Sequence, residues 1–274
     1  PGTDKRSPSH SVFSNETAQL SHFTPVPFFS ADYRIFDTEM ELKIGTQQPI
    51  NNEKINVEYR FINDTSKVYT YTKPLRITQT TELEARQIST YKPVEGTLPH
   101  DEIFKSPWVK ARFIKRDNSI NLKLKSNYAN QYTAAGPNTL IDGVRGTKEF
   151  RTGDWQGYYA QDIIAELTLE KPRVLSEVGI SCLQDMKSWI FYPSDVQIEI
   201  SVDGEHFTLL KDSVSIPQYS TYVGPTKDEF LKKTESTQPI KKVRITAKNF
   251  GKCPDWHLGA GNDTWLFSDE IILN

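Results

Sequence analysis

Apolar and polar residues alternate with a period of two along most of this chain. Met40-Glu-Leu42-Lys-Ile44, Ile55-Asn-Val57-Glu-Tyr59-Arg-Phe61, Leu75-Arg-Ile77, Leu83-Glu-Ala85, Val109-Lys-Ala111-Arg-Phe113 and Ile120-Asn-Leu122-Lys-Leu124 each put their apolar groups on one face. Successive side chains of a strand point to opposite faces, so this pattern predicts half-buried antiparallel strands. A second series follows the polar, Tyr- and Asn-rich stretch 126–138: Ala165-Glu-Leu167-Thr-Leu169, Val178-Gly-Ile180-Ser-Cys182, Val196-Gln-Ile198-Glu-Ile200-Ser-Val202, Val243-Arg-Ile245-Thr-Ala247 and Ile271-Ile-Leu273. Asp203-Gly204, between Val202 and Phe207, predicts a hairpin, because tight turns need positive φ. A short segment around 99–105 is the helix candidate of the first half.

Strands separated by long polar loops, without alternating helices, predict two all-β sandwiches and not a βαβ sheet. The organisation expected is a tail or linker over 1–24, a first sandwich over 25–122 opening at Pro25-Val-Pro27-Phe-Phe, and a second over 126–274. A length of 274 residues suits two modules of about 100–150 residues each.

Composition narrows the function. A net charge of −2 gives no broad basic field to attract nucleic acid or an anionic membrane. No run of eighteen apolar residues marks a membrane-spanning helix. The start at Pro1-Gly2, without methionine or an apolar leader, points to a fragment of a longer protein. Two cysteines are too few for a disulfide framework. Cys182 falls in phase with apolar neighbours and reads as a buried thiol, with a Cys182–Cys253 bridge as the alternative in an oxidising compartment.

Neither a phosphate loop, a zinc-type His/Cys spacing nor a Gly-x-Ser-x-Gly elbow is present. Glycoside hydrolysis needs two facing carboxylates in a cleft. The candidates are Asp101-Glu102 and Asp228-Glu229, read as loop pairs, and Asp269-Glu270, whose adjacent side chains would point to opposite faces of a strand. No catalytic site is therefore expected in this chain.

The positive signal is aromatic. Trp189 lies in the loop 182–193, and Trp256 and Trp265 lie in the stretch 252–265, each among polar residues. Sugars offer C–H faces that stack on flat rings and hydroxyls that need directed partners. Trp189 and Trp256 are the expected stacking platforms, with Gln184, Asp185, Asp255 and His257 as hydroxyl partners. The alternative is that these tryptophans cap the sandwich, Trp265 being the strongest candidate for the core. Leu140-Ile-Asp142-Gly-Val-Arg-Gly-Thr147 offers carboxylate, hydroxyl and carbonyl oxygens that suit Ca²⁺. Leu140, Asp142, Thr147 and Glu270 are its candidate ligands, an Asx turn being the plain alternative.

Residues 126–274 resemble the discoidin, or coagulation factor 5/8 type C, domain, also known as the family-32 carbohydrate-binding module. Leu140-Ile-Asp142-Gly143 with Thr147 and Trp155, the strand Ala165–Leu169 followed by Lys171-Pro172, the hairpin Val196–Gly204, and Val243-Arg-Ile245 with the closing Asp269-Glu270-Ile271 carry the likeness. Ile141–Gly146, Asp154-Trp-Gln-Gly157, Leu183-Gln-Asp185, Ser188-Trp-Ile190 and Cys253–His257 further resemble the C-terminal appendage of Bacteroidetes family-20 β-hexosaminidases, or chitobiases. The first module is similar to the chitobiase C-terminal sandwich at Val57-Glu-Tyr59, Tyr71–Ile77 and Thr80–Arg86, with Asn63-Asp-Thr65 where that family usually carries Asp-Gly.

The resemblance implies an immunoglobulin- or fibronectin-like sandwich followed by a galactose-binding jelly roll with a structural calcium. It implies a non-catalytic appendage that binds a GalNAc-, GlcNAc- or galactose-type glycan for a parent catalytic domain. The expected location is the periplasm or cell surface of a Gram-negative bacterium. The competing reading is a spacer that docks on its parent domain and binds no free ligand.

Overall fold

A computed structural model describes residues 24–31, 34–49, 53–92, 102–211 and 213–274; the expected tail therefore lies outside the described residues, apart from Thr24. The chain divides into two compact units, Pro1–Lys115 and Arg116–Asn274.

The first unit contains β1 (Phe28–Ser30), β2 (Ile35–Phe36), β3 (Met40–Gly45), β4 (Glu53–Phe61), β5 (Tyr69–Thr70), β6 (Leu75–Ile77), β7 (Thr81–Tyr91), β8 (Glu102–Lys105) and β9 (Val109–Lys115). One sheet runs β1-β3-β6 and the other β2-β9-β7-β4-β5, with β8 also paired to β7. The alternation read in the sequence builds the core: Leu42 and Ile44 of β3 and Ile77 of β6 meet Val57, Leu83, Ala85 and Phe113 from the larger sheet. The helix expected around 99–105 is corrected where it can be described. Glu102–Lys105 is strand β8, hydrogen-bonded to the far end of β7, and 99–101 lie outside the described residues.

The second unit contains β10 (Ile120–Leu124), β11 (Gln156–Tyr159), β12 (Ile163–Arg173), β13 (Glu177–Gln184), β14 (Asp195–Ser201), β15 (Thr208–Leu209), β16 (Thr226–Lys233), β17 (Ile240–Lys248) and β18 (Trp265–Leu273). They form a five-stranded sheet, β10-β12-β17-β14-β15, and a four-stranded sheet, β11-β18-β13-β16. From β11 onward the chain crosses repeatedly from one sheet to the other, the named strands of this unit pair antiparallel, and one core is shared, as in a jelly roll. Leu167 and Leu169, Ile198 and Ile200, and Val243 and Ile245 from the first sheet pack on Val178, Ile180, Phe230 and Leu266 from the second. The expected hairpin is present, with Gly204 at φ 90° between β14 and β15. Asp203 accepts hydrogen bonds from the amides of Glu205 and His206, which hold its carboxyl well below the usual range.

Two expectations change. β10, read as the last strand of a first module ending at 122, pairs over its whole length with β12, so the first unit ends at Lys115. Period-two patterning identifies a strand and says nothing of which sheet it joins. The tryptophans also exchange roles. Trp155 is 1% exposed and donates its indole N–H to the Thr147 carbonyl at 2.9 Å. Trp265 is half-buried at the margin of a cluster with Phe150, Trp155 and Phe267. Both cysteines are free and buried, Cys182 in the main core and Cys253 in a separate loop cluster.

β18 breaks strict alternation. Leu266 and Ile271 both enter the main core although an odd number of positions separates them. Opposite them, Ser181 pairs with Glu270 and Cys182 with Ser268, leaving Asp269 as the extra residue of a β-bulge. Asp269 and Glu270 therefore do not point to opposite faces as expected; both carboxylates reach the loop 142–147.

β13 and β16 approach closely at Gly179, where an added Cβ would lie 2.2 Å from the Phe230 carbonyl oxygen. Gly179→Ala is expected to destabilise the chain by at least about 1–3 kcal/mol in urea unfolding. Gly224→Ala, with nothing within 4 Å of its Cβ, is expected to be near neutral.

Candidate functional site

At one end of the second sandwich, the segments 184–192, 217–223 and 250–264 pack into an aromatic cluster. Met186, Phe191 and Cys253 form its buried centre, and Trp189, Tyr219, Tyr222, Phe250 and Trp256 pack around them. The two tryptophan loops read from the sequence do converge here. Tyr222, which the sequence reading missed, joins them: its ring lies 5.2 Å from Trp256 and 5.1 Å from His257, and its hydroxyl accepts the Leu258 N–H at 2.8 Å. Aromatic rings standing in a polar loop at Tyr219-Ser-Thr-Tyr222 were the available signal.

The candidate sugar ligands separate into two groups. His257 is 3% exposed, and both ring nitrogens are committed. Nδ1 accepts the Gly259 N–H at 2.9 Å, which leaves Nε2 to donate to the Met186 carbonyl at 2.7 Å. This corrects the role expected for His257: it pins one loop to the other and has no atom left for a hydroxyl. Gln184 is likewise only 2% exposed; it lines a cavity of about 10 Å³ with Met186, Phe191, Tyr219 and Phe250. Its Nε2 has no partner, so it faces a space the size of one water and not an open cleft.

Trp189 is half-buried with φ 64°, and its ring packs so closely on Gly259 that a Cβ there would lie 2.8 Å from the indole. Asp185 is half-buried and accepts the Ser188 hydroxyl at 2.8 Å. Asp255 and Trp256 differ from these. Asp255 is exposed and its carboxylate has no hydrogen-bond or ion-pair partner among the described residues, and the half-buried Trp256 ring follows it directly. The Trp256 ring packs edge-on against Tyr222 and His257, at 5.2 and 5.8 Å between ring centres.

The candidate calcium residues lie at the bulge. Asp142 is buried and accepts the Val144 N–H at 2.8 Å. Glu270 accepts the Gly143 N–H at 2.7 Å, and Asp269 accepts the Gly146 N–H at 2.6 Å. Burial pushes Asp142 up to about 6, and burial with the neighbouring Asp142 charge pushes Glu270 up to about 8. Asp269 is also raised by burial. Its Oδ1 has no hydrogen-bond partner and lies 3.9 Å from an Arg145 guanidinium nitrogen.

A divalent cation fits this crowd of buried, poorly compensated oxygens in charge. Its fit to the four expected ligands is only partial. Leu140 is buried beside the cluster, but the Thr147 hydroxyl accepts the Glu149 N–H and its carbonyl accepts the Trp155 indole N–H. Among the described residues no three His, Cys, Asp or Glu side chains are grouped to hold a metal, so backbone carbonyls would complete the shell. Asp269, left out of the expected set, belongs to the cluster because of the bulge.

Of the other carboxylate pairs, Glu102 begins β8, and Asp101 is outside the described residues. Asp228 and Glu229 lie in β16 and not in a loop, with Glu229 paired to Arg145 at 2.7 Å.

His257→Ala is expected to cost more than about 1–3 kcal/mol, because it unpairs the Met186 carbonyl and the Gly259 amide while opening the aromatic cluster. Metal-free protein is expected to lose stability as pH rises. Asp142 and Glu270 titrate near 3.8 and 4.5 when unfolded and near 6 and 8 when folded, so their stabilising protons are lost across that interval. Thermal unfolding in EDTA should show the decline, and Glu270→Gln should flatten its alkaline part.

No protein-family model and no curated protein sequence matches this chain. Solved structures similar to it include a family-32 carbohydrate-binding module from a family 31 glycoside hydrolase of Clostridium perfringens, at 16% identity and a TM-score of 0.36 over 57% of this chain and 90% of that one. The family 32 module of C. perfringens NanJ, solved with galactose, matches at 15% identity and a TM-score of 0.32 over 57% and 93%. An F5/8 type C domain from Bacteroides fragilis matches at 13% identity and a TM-score of 0.35 over 57% and 90%.

Proposed function

We propose that the second unit is a carbohydrate-binding module. Asp255 and Trp256 carry this reading: an uncommitted carboxylate and a partly exposed indole stand side by side on a loop anchored through His257. Such a pair offers a sugar a flat apolar face and a hydroxyl acceptor together. Asp185 ties its own loop by accepting the Ser188 hydroxyl, and the Trp189 ring packs on Gly259 of the neighbouring loop. The ligand class is a neutral sugar of the galactose, GalNAc or GlcNAc type.

The chain is, on this reading, a non-catalytic appendage of a glycoside hydrolase of the β-hexosaminidase (chitobiase) kind from a Gram-negative bacterium of the Bacteroidetes, working in the periplasm or outside the cell. It would keep the parent catalytic domain close to its glycan. No helix among the described residues is long and apolar enough to cross a membrane. Asp142 and Glu270, with loop carbonyls, would hold a structural Ca²⁺ that offsets their charge and ties the loop 142–147 to β18.

One observation favours the docking alternative. Leu258, two residues beyond Trp256, is 96% exposed. A bare leucine beside a tryptophan also suits packing against a parent domain.

Calorimetric titration with galactose, GalNAc and GlcNAc decides between these readings. Millimolar or tighter binding is expected for at least one sugar, weakened at least about 10-fold, or about 1.4 kcal/mol, by Trp256→Ala or Asp255→Ala. Silence across the panel in a folded chain would leave docking as the function. Calcium at about 100 times its dissociation constant is expected to stabilise the chain by about 2.7 kcal/mol, and Glu270→Gln to reduce that gain.

A further inference from the structure

The first unit carries a cleft of about 500 Å³, within the size range of roughly 300–1,000 Å³ usual for small-ligand sites. It lies where β4 ends in the 3-10 turn Ile62–Asp64 and where the chain turns from β6 into β7. Phe61, Asn63, Gln79, Thr80, Thr81 and Glu82 line it. Phe61 ends the inward row Val57, Tyr59, Phe61; its half-buried ring packs on the core and edge-on against Tyr69 at 6.0 Å.

The charged groups around the cleft are already engaged. Arg112 pairs with Glu82 at 3.3 Å, and the Lys115 ammonium donates to the Thr78 carbonyl at 3.0 Å. The uncharged groups are not all used. The Thr81 hydroxyl donates to the Gln79 carbonyl at 2.8 Å, but among the described residues the side-chain amides of Asn63 and Gln79 have no hydrogen-bond partner. The Thr80 hydroxyl accepts the Lys115 N–H at 3.1 Å and keeps its own proton to donate. What the lining residues offer a ligand is therefore two amides, one hydroxyl and the Phe61 side chain, beside the Glu82 carboxylate that Arg112 partners.

We propose that this cleft is a second binding site, for a neutral saccharide, in the first unit. Amides that both donate and accept match vicinal hydroxyls, and the Phe61 ring offers a face or edge to sugar C–H groups. Among the described residues that line the cleft none is cationic, and an anionic ligand would meet the Glu82 carboxylate. The site rests on different residues from the Trp256 loop and stands or falls separately from it.

The test is a ¹⁵N-labelled full chain titrated with lactose, chitotriose and, as an anionic control, sialyllactose. Lactose or chitotriose is expected to shift the Asn63 and Gln79 side-chain amides and the Thr80 and Thr81 backbone amides together along one millimolar isotherm. The double variant Asn63→Ala/Gln79→Ala should lose those shifts and leave the remaining spectrum unchanged. Asn63→Asp with Gln79→Glu, which keeps the shape and removes the amide donors, should lose them too. Absence of shifts at these four residues with both neutral sugars would overturn the proposal, as would shifts that survive in both double variants or that only sialyllactose produces. Failure of the Trp256 site would register separately, as unmoved resonances at Tyr222, Asp255 and Trp256.

Discussion

One extra residue in β18 organises much of the second unit. A strand that kept its alternation would send Asp269 into one layer and Glu270 into the other, with one of the two charges facing the apolar core. The bulge opposite Ser181 and Cys182 lets Leu266 and Ile271 both face inward and turns both carboxylates toward the loop 142–147. There they accept the amides of Gly146 and Gly143, closing the first loop of the unit onto its last strand. Gly146 must lack a side chain for this to work, since a Cβ would lie 2.4 Å from the Trp155 indole. The arrangement gathers carboxylates in a buried place, which raises the affinity of Asp142 and Glu270 for a proton.

A different device shapes the opposite chemistry at Trp256. The His257 ring is held between two backbone groups, the Met186 carbonyl and the Gly259 amide, and the three loop segments fold around it. Met186, Phe191 and Cys253 form the buried centre of the cluster, and Trp256 and Tyr222 pack around it edge to face. Preformed rings lose little entropy on binding, which is why a rigid sandwich with aromatic loops suits weak, specific recognition of a sugar. Asp255 remains unpaired beside them.

Much of the strand content was legible because burial on one face leaves a period-two trace: β3, β4, β9, β12, β13 and β17 coincide with runs that alternate apolar and polar residues. β16 left a weaker trace. As an edge strand it buries Phe230 and the stem of Lys232, and the run Thr226-Lys-Asp-Glu-Phe230 reads as polar. The unit boundary was misplaced because β10 alternates equally well in either sheet. In the candidate site, residue type pointed to the right loops, and the burial of individual atoms decided their roles. Nothing in Asp-Trp-His distinguishes a histidine whose nitrogens are both spent from one that faces solvent. Likewise, adjacent carboxylates reveal a bulge only when the pairing strand is known.

The most direct test of the account is a crystal structure of the chain soaked with the tightest-binding neutral monosaccharide. The account predicts a pyranose ring against the exposed part of Trp256, with a hydroxyl within hydrogen-bonding distance of the Asp255 carboxylate and His257 unmoved beneath. A saturated sugar bound elsewhere on the second unit, with Trp256 and Asp255 untouched, would contradict it.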